Sequence, residues 1–382
     1  MLLLTAGRLR LIGVRSAQRE GIPWLRHLLK AKVKGTQKTA GQRAQDAALA
    51  ALSYRELGEQ EVLDEEDLDD LLRDAIVALL ETSDRGVVVA DRVEAARVLG
   101  DLGDPRIPVT PEEWSIASAG GTTDPLHRYW CCVEAGSFWF GDDRKEKLQQ
   151  VRLPYGFAIA RYPLTNAQYA RFIEVGGYED ERWWTKQGWA SKKQQKWTQP
   201  RFWNDTTYNH LAQPVVSISW YEVVAYCCWL TAQGHAQGWL PQGEAIRLPT
   251  SLEWERAARG TDRRYPWGSE QPTPEHANYG DAIGRTTPVG VYPLGAVVCG
   301  ALDMAGNVWE WTATPHEQDA EPQSQGDFAP GDGVQLRGGA YYSQSELVFC
   351  GSRFWNRARN WDHDGGGRLL RSLCQEREEQ EH

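Results

Sequence analysis

The side chains able to do chemistry in this chain are its seven cysteines, its eight histidines and a crowded stretch from Arg337 to Arg368. Cys131-Cys132 and Cys227-Cys228 are adjacent pairs without CxxC metal spacing, and an odd count gives no complete disulfide framework. Reduced, mostly buried thiols are therefore expected. The histidines show no HxxxH or HExxH spacing, so zinc or iron on neighbouring helical turns has no support. The crowded stretch reads RGGAYYSQSELVFCGSRFWNRARNWDHDGGGR, opened by Arg337-Gly338-Gly339 and closed by Gly365-Gly366-Gly367-Arg368. Between glycines that permit tight turns lie Tyr, Phe, Trp, Arg, Asn, Asp and Ser. Antibody-type paratopes use this mixture, because rigid rings supply area at low entropy cost and short polar groups supply adaptable hydrogen bonds. Its chemistry is that of recognition, with an aromatic-rich strand and loop packed into a core as the alternative.

The elements that must position this stretch belong to an ordinary globular chain of 382 residues, 41% hydrophobic and 25% charged, long enough for two or three domains. A net charge of −10 sets nucleic acid and anionic membrane aside as main partners. The local exception is Arg8, Arg10, Arg15, Arg19, Arg26, Lys30, Lys32 and Lys34 against Glu20, either a basic arm or a solvated helix face. No run approaches the roughly 18 uncharged apolar residues of a membrane span, and the N-terminal apolar run is short for a secretory signal, so a cytoplasmic location is expected.

Residues 1–104 are expected to form a small helical domain. In 64–83, Leu68, Leu71, Leu72, Ile76, Leu79 and Leu80 recur at helical spacing, with Asp67, Asp69, Asp70 and Asp74 on the other face. Asp64 suits an N-cap, with Leu63 and Leu68 placed as a hydrophobic staple. Segments 40–54 and 90–100 add two helices. Residues 105–127, rich in Pro, Gly, Ser and Thr, read as a linker. The remainder, 128–372, holds all but Trp24 and Trp114 of the 18 tryptophans and precedes a charged tail at 373–382. Three S/T-x-x-E/Q capping boxes, at Thr165, Ser219 and Thr250, announce helices among short strands and long loops, an α+β class.

Seven motifs then carry a resemblance. GSFWFGDD (136–143), ARYPLTNAQYARF (160–172), QPVVSISWYEVVAYCCWL (213–230), RLPTSLEWERAARG (247–260), YPWG (265–268), DMAGNVWEWT (303–312) and RGGAYY (337–342) follow the order of the formylglycine-generating enzyme family. The resemblance spans about 130–370 and implies that family's C-type-lectin-like fold. The family's oxidase uses two cysteines after the RGG motif to hold copper(I); the matching positions here are Ser343 and Val348, which supply no thiolate. Nor does the chain contain the HxxxHxE motif with which ergothioneine-type relatives hold iron. The resemblance thus implies no enzyme and no copper. It also implies a structural calcium held by the Asp303 and Glu310 side chains and the Gly306 and Val308 carbonyls.

One branch with this fold resembles the chain further: the variable proteins of diversity-generating retroelements, whose variable segment lies between RGG and a terminal GFR-like motif. Adenine-directed variation of Asn codons does not reach Lys, Gln, Glu, Met or Trp, and 341–364 contains no Lys or Met, one Gln and one Glu. Ala340 and Gly367 depart from the branch's usual Ser and Phe. The expectation is a non-catalytic binding protein with its variable region at about 337–368. Its surface is expected to present Tyr342, Ser343, Ser345, Leu347, Phe349, Phe354, Trp355, Asn356, Arg359, Asn360, Trp361, Asp362 and His363 to a macromolecular ligand, a protein. The alternatives are an oxygen-dependent formylglycine-generating-type oxidase and an adaptor whose helical part meets a signalling partner.

Overall fold

The computed structural model describes residues 17–33, 36–57, 66–83, 86–121, 124–145, 147–317 and 327–373. The chain forms two compact units, Met1–Pro105 with His210–Ala212 and Gly290–Leu294, and Arg106–Asn209 with Gln213–Val289 and Gly295–His382.

In the first unit, α1 (Ile22–Leu29), β1 (Lys32–Val33), β2 (Thr36–Gln37), α2 (Ala40–Leu57), α3 (Glu66–Glu81) and α4 (Val89–Asp101) follow in order. Leu68, Leu72, Ile76, Leu79 and Leu80 are buried in one core with Ala44, Ala47, Ala48 and Ala51 of α2, as the helical spacing predicts. Leu71 is 43% exposed and falls outside that stripe. Asp69 is not on a solvated face: it is buried and accepts the Tyr54 hydroxyl at 3.1 Å. The Asp64 cap, the Leu63 staple and Arg8, Arg10, Arg15 and Lys34 of the basic arm lie outside the described residues.

The second unit starts with a helix where a linker was expected. Thr110 caps α5 (Pro111–Ala119) through a full capping box with Glu113, with proline in the first turn. Trp114 and Ala117 of α5 join the main core cluster of this unit, so 105–127 is not a free spacer. There follow β3 (Trp130–Val133), β4 (Gly136–Phe140), β5 (Gln149–Leu153), β6 (Phe157–Ala160), α6 (Asn166–Glu174), α7 (Lys186–Gln195), α8 (Trp220–Gln237), β7 (Ile246–Arg247) and α9 (Ser251–Arg259). The chain then forms β8 (Trp309–Pro315), β9 (Gly333–Arg337), β10 (Arg353–Arg357), β11 (Gly365–Gly367) and β12 (Leu370–Ser372). All three expected capping boxes are present, at the starts of α6, α8 and α9. Two four-stranded sheets run β3-β6-β12-β7 and β10-β9-β8-β11, and β4 pairs with β5. The unit is α+β, of the formylglycine-generating type, with a helical region before it.

Its core is aromatic, and two of its fully buried indoles find backbone acceptors: Trp220 donates to the Thr312 carbonyl at 2.9 Å and Trp311 to the Ile218 carbonyl at 3.0 Å. The adjacent cysteines divide by geometry. Cys131 and Cys227 point inward, while Cys132 on the strand and Cys228 on the helix are exposed. The described cysteines are free thiols.

Candidate functional site

The crowded stretch hangs between two buried arginines. Arg337, the last residue of β9, is 0% exposed; its guanidinium pairs with Glu255 and donates to the Cys350 carbonyl at 3.0 Å. Glu255 also accepts from Arg259 at 2.9 Å and from the Gly141 amide at 2.8 Å. Burial pulls the Arg337 pKa down to about 10 against the opposing pull of Glu255. Arg368, likewise 0% exposed, grips both Glu310 oxygens, at 2.7 and 2.9 Å, and donates to the Ala160 and Leu302 carbonyls. A charge stays in such an interior when a buried counter-charge offsets its lost hydration, so each anchor is set by a carboxylate from elsewhere in the fold, while Nε and Nη1 of Arg337 have no hydrogen-bond partner among the described residues. Gly338 and Gly339 turn the chain out of β9 with φ of 97° and 83°, values that side chains rarely adopt. At the other end, a Cβ on Gly367 would meet Val223 Cγ1 at 2.8 Å, which accounts for glycine where the related branch has Phe.

Between the anchors, β10 forms the edge of its sheet. Strand alternation sends Phe354 and Asn356 to one face and Trp355 to the other. Phe354, 50% exposed, lies 5.5 Å from the Trp309 ring, and Asn356 ties to Asp362 at 2.6 Å and to Asn360 at 2.8 Å. Trp355 instead stacks on His316 at 4.5 Å. Tyr342, 41% exposed, donates its hydroxyl to buried Asp364, whose carboxyl burial pushes up. His363 packs 5.8 Å from Tyr342 and 6.2 Å from Tyr208, and the Tyr208 and Tyr341 hydroxyls meet at 3.2 Å. The Arg201 guanidinium covers Trp361 at 3.8 Å, with Phe202 at 6.4 Å on edge.

Two of the thirteen expected contact residues are not available. Ser343 is 3% exposed, its hydroxyl accepting from the Ala340 amide at 2.9 Å. Phe349 is buried beneath the Arg144 guanidinium at 4.1 Å. Ser345 and Leu347 are exposed on a separate short turn, and Arg359 is exposed beside intermediate Asn360 and Trp361. Tyr342, Phe354, Asn356, Asn360, Trp361, Asp362 and His363 are at least partly accessible. Sequence reasoning missed Arg201, Phe202, Tyr208 and Tyr341. The first three come from a loop far away in the chain, whose run of Trp, Arg, Phe, Asn and Tyr between 197 and 208 was the one available signal.

The calcium ligands expected at Asp303, Gly306, Val308 and Glu310 do not fit that ion. Glu310 is fully buried, neutralised by Arg368, and accepts the Trp254 indole N–H at 2.6 Å. The Gly306 carbonyl is engaged by the Val308 amide at 2.9 Å. Hard-cation coordination needs oxygens free of such partners. Melting temperatures measured with excess calcium and with a chelator are accordingly expected to coincide. At the positions matching the family's copper thiolates, Ser343 is a turn-former and Val348 is core, while burial pushes the Cys350 thiol up to about 12. Among the described residues no three His, Cys, Asp or Glu side chains cluster as a metal site. No described helix is long and apolar enough to cross a membrane.

Residues 122–373 match the family described as the sulfatase-modifying factor enzyme 1-like domain. A hercynine oxygenase of Mycobacterium tuberculosis is 36% identical over 247 residues, covering 58% of this chain and 52% of that protein. The chain therefore spans about half the length of that relative. The formylglycine-generating enzyme of Mus musculus is 26% identical over 275 residues, 59% of this chain and 70% of that protein. Among solved structures, Treponema denticola variable protein 1 superposes with a TM-score of 0.46 at 19% identity, covering 64% of this chain and 95% of that one. The similarity to oxygenases overturns the expectation that the chain is not an enzyme. Losing the two cysteines at 343 and 348 removes one copper chemistry, and relatives at 36% identity carry the name of an oxygenase.

Proposed function

We propose that this chain, which belongs to the sulfatase-modifying factor enzyme 1-like family, binds a macromolecular ligand, a protein, on the face built from Tyr342, Phe354, Asn356, Trp361, Asp362 and His363. One observation carries the reading. The residues framing the segment, Arg337 and Arg368, are locked in the interior, whereas Tyr342 and Phe354 between them are among the few large rings left exposed among the described residues. Exposed aromatic and arginine side chains are the usual carriers of interface energy, and here they stand on a fixed scaffold, so binding costs little ordering. The partition also suits a segment whose sequence changes while its fold does not, as retroelement-driven variation requires. A cytoplasmic location belongs to the same proposal.

Sequencing the gene's flanks in several isolates tests it. The expected result is a near-repeat of codons 337–368 differing at template adenines, a neighbouring reverse transcriptase, and substitutions confined to accessible positions. Isolates that differ at Arg337 or Arg368 as often as at Phe354, with no such repeat, would remove the claim.

The 36% identity to hercynine oxygenase favours a second reading, in which the same domain contributes to an oxygenase acting on hercynine. Oxygen uptake dependent on added hercynine would support it. Oxygen uptake that is the same with and without hercynine would count against it.

A further inference from the structure

Beside the displayed face lies a cavity of about 180 Å³ between the end of α7, the loop to Arg201, the Ser217 turn and Trp361. Ser217 is its most unusual wall. It holds a left-handed conformation (φ 57°) that side chains adopt at a cost, and its amide donates to the Asp362 carbonyl at 3.0 Å while its carbonyl accepts from the Arg201 amide at 3.1 Å. The strained turn thus pins the Arg201 loop to the Asp362 loop. Its hydroxyl, in a residue 1% exposed, has no hydrogen-bond partner among the described residues. A buried hydroxyl left unmatched is destabilising unless something outside the fold completes it.

The charges of the cavity point to that missing partner. Lys196 and Arg201 both line it, and neither forms an ion pair among the described residues. Glu222, also in the wall, is already satisfied: one oxygen accepts the Tyr178 hydroxyl at 2.6 Å and the other the Ser219 amide at 2.8 Å and hydroxyl at 2.7 Å. Burial raises its pKa to about 7, so it opposes an incoming anion far less than an ordinary carboxylate. Two cations without an ion pair, one of them Arg201 held over the Trp361 ring at 3.8 Å, and one unpaired donor make a receptor for a small anion with an acceptor oxygen to spare.

We propose that this cavity is a carboxylate subsite, in which Arg201 and Lys196 supply the positive charge and the Ser217 hydroxyl the buried hydrogen bond. The carboxylate is carried by an acidic side chain of the protein ligand or by a free small acid; the first source rests on the proposed recognition function, the second does not.

Calorimetric titration of the full chain with succinate and with N-acetyl-glutamate amide, at constant ionic strength against chloride, tests the subsite. Saturable one-to-one binding is expected. Ser217→Gly is the decisive variant, since it deletes the donor and relieves the turn: its melting temperature should hold or rise while binding weakens at least tenfold. Arg201→Gln should weaken binding similarly. Wild-type affinity in Ser217→Gly, or heat no greater than with chloride, would overturn the proposal. Tighter binding of the blocked glutamate assigns the carboxylate to a polypeptide, and tighter binding of succinate assigns it to a free acid. Failure of the flanking-sequence test would leave these titrations unaffected, so the two proposals fall separately.

Discussion

Arg368→Met is expected to destabilise the second unit by about 3–5 kcal/mol, read as a lowered midpoint of chemical denaturation. The arginine is fully buried and spends its guanidinium on both oxygens of Glu310 and on the carbonyls of Ala160 and Leu302. Methionine keeps much of the apolar stem. It leaves a carboxylate in the interior with the Trp254 N–H as its remaining side-chain partner, and strips two backbone carbonyls of their donor. An uncompensated buried charge dominates that sum, because desolvation is no longer offset by attraction. The double variant Glu310→Gln with Arg368→Met removes the charge and should recover more than half of the loss, a coupling that a double-mutant cycle measures directly. A single-variant loss below about 1 kcal/mol, the range of exposed pairs, would show that water reaches the site and that Arg368 is no anchor.

What the sequence disclosed divides along the range of the interactions. Capping boxes at Thr165, Ser219 and Thr250 were legible because the rule spans four residues and needs nothing else. Thr110-Pro-Glu-Glu113 obeys the same rule and was obscured by the surrounding Pro, Ser and Thr, which suggested a linker. Periodicity places Asp69 on the face away from the leucine stripe, yet Tyr54, 15 residues away, covers it. The frame of the crowded stretch was visible as a motif, but the burial of its arginines depends on Glu255 and Glu310, 82 and 58 residues distant. Likewise, Ser343 and Phe349 looked like surface residues by type, and only the Ala340 turn and the Arg144 guanidinium explain why they are not. Arg201, Phe202 and Tyr208 reach the face because the Ser217 turn ties their loop to residue 362, a backbone contact that no spacing rule encodes. Two substituted positions speak about one metal chemistry, whereas similarity over 247 residues speaks about the whole domain.

The second large effect is a pH dependence centred on Glu222. This carboxyl is buried in the first turn of α8 and forms no ion pair among the described residues, and loss of hydration raises its pKa from 4.5 to about 7, against the opposing hydrogen bonds from Ser219 and Tyr178. Between those values the native state keeps a proton that the unfolded chain has released. The stabilising contribution is therefore complete below about pH 4.5 and is lost as pH rises through about 7. A gap of that size corresponds to about 3 kcal/mol. Glu222→Gln is the matched variant, because Gln168 already serves as the third residue of the Thr165 capping box and the Tyr178 hydroxyl can turn to accept from the new amide. Denaturation curves at pH 5 and pH 8 should show the wild type losing about 2–3 kcal/mol more than the variant over that interval. The difference between the two profiles cancels the other titrating groups, so parallel profiles would mean that Glu222 stays ionised in the native core and that Tyr178 and Ser219 alone sustain its charge.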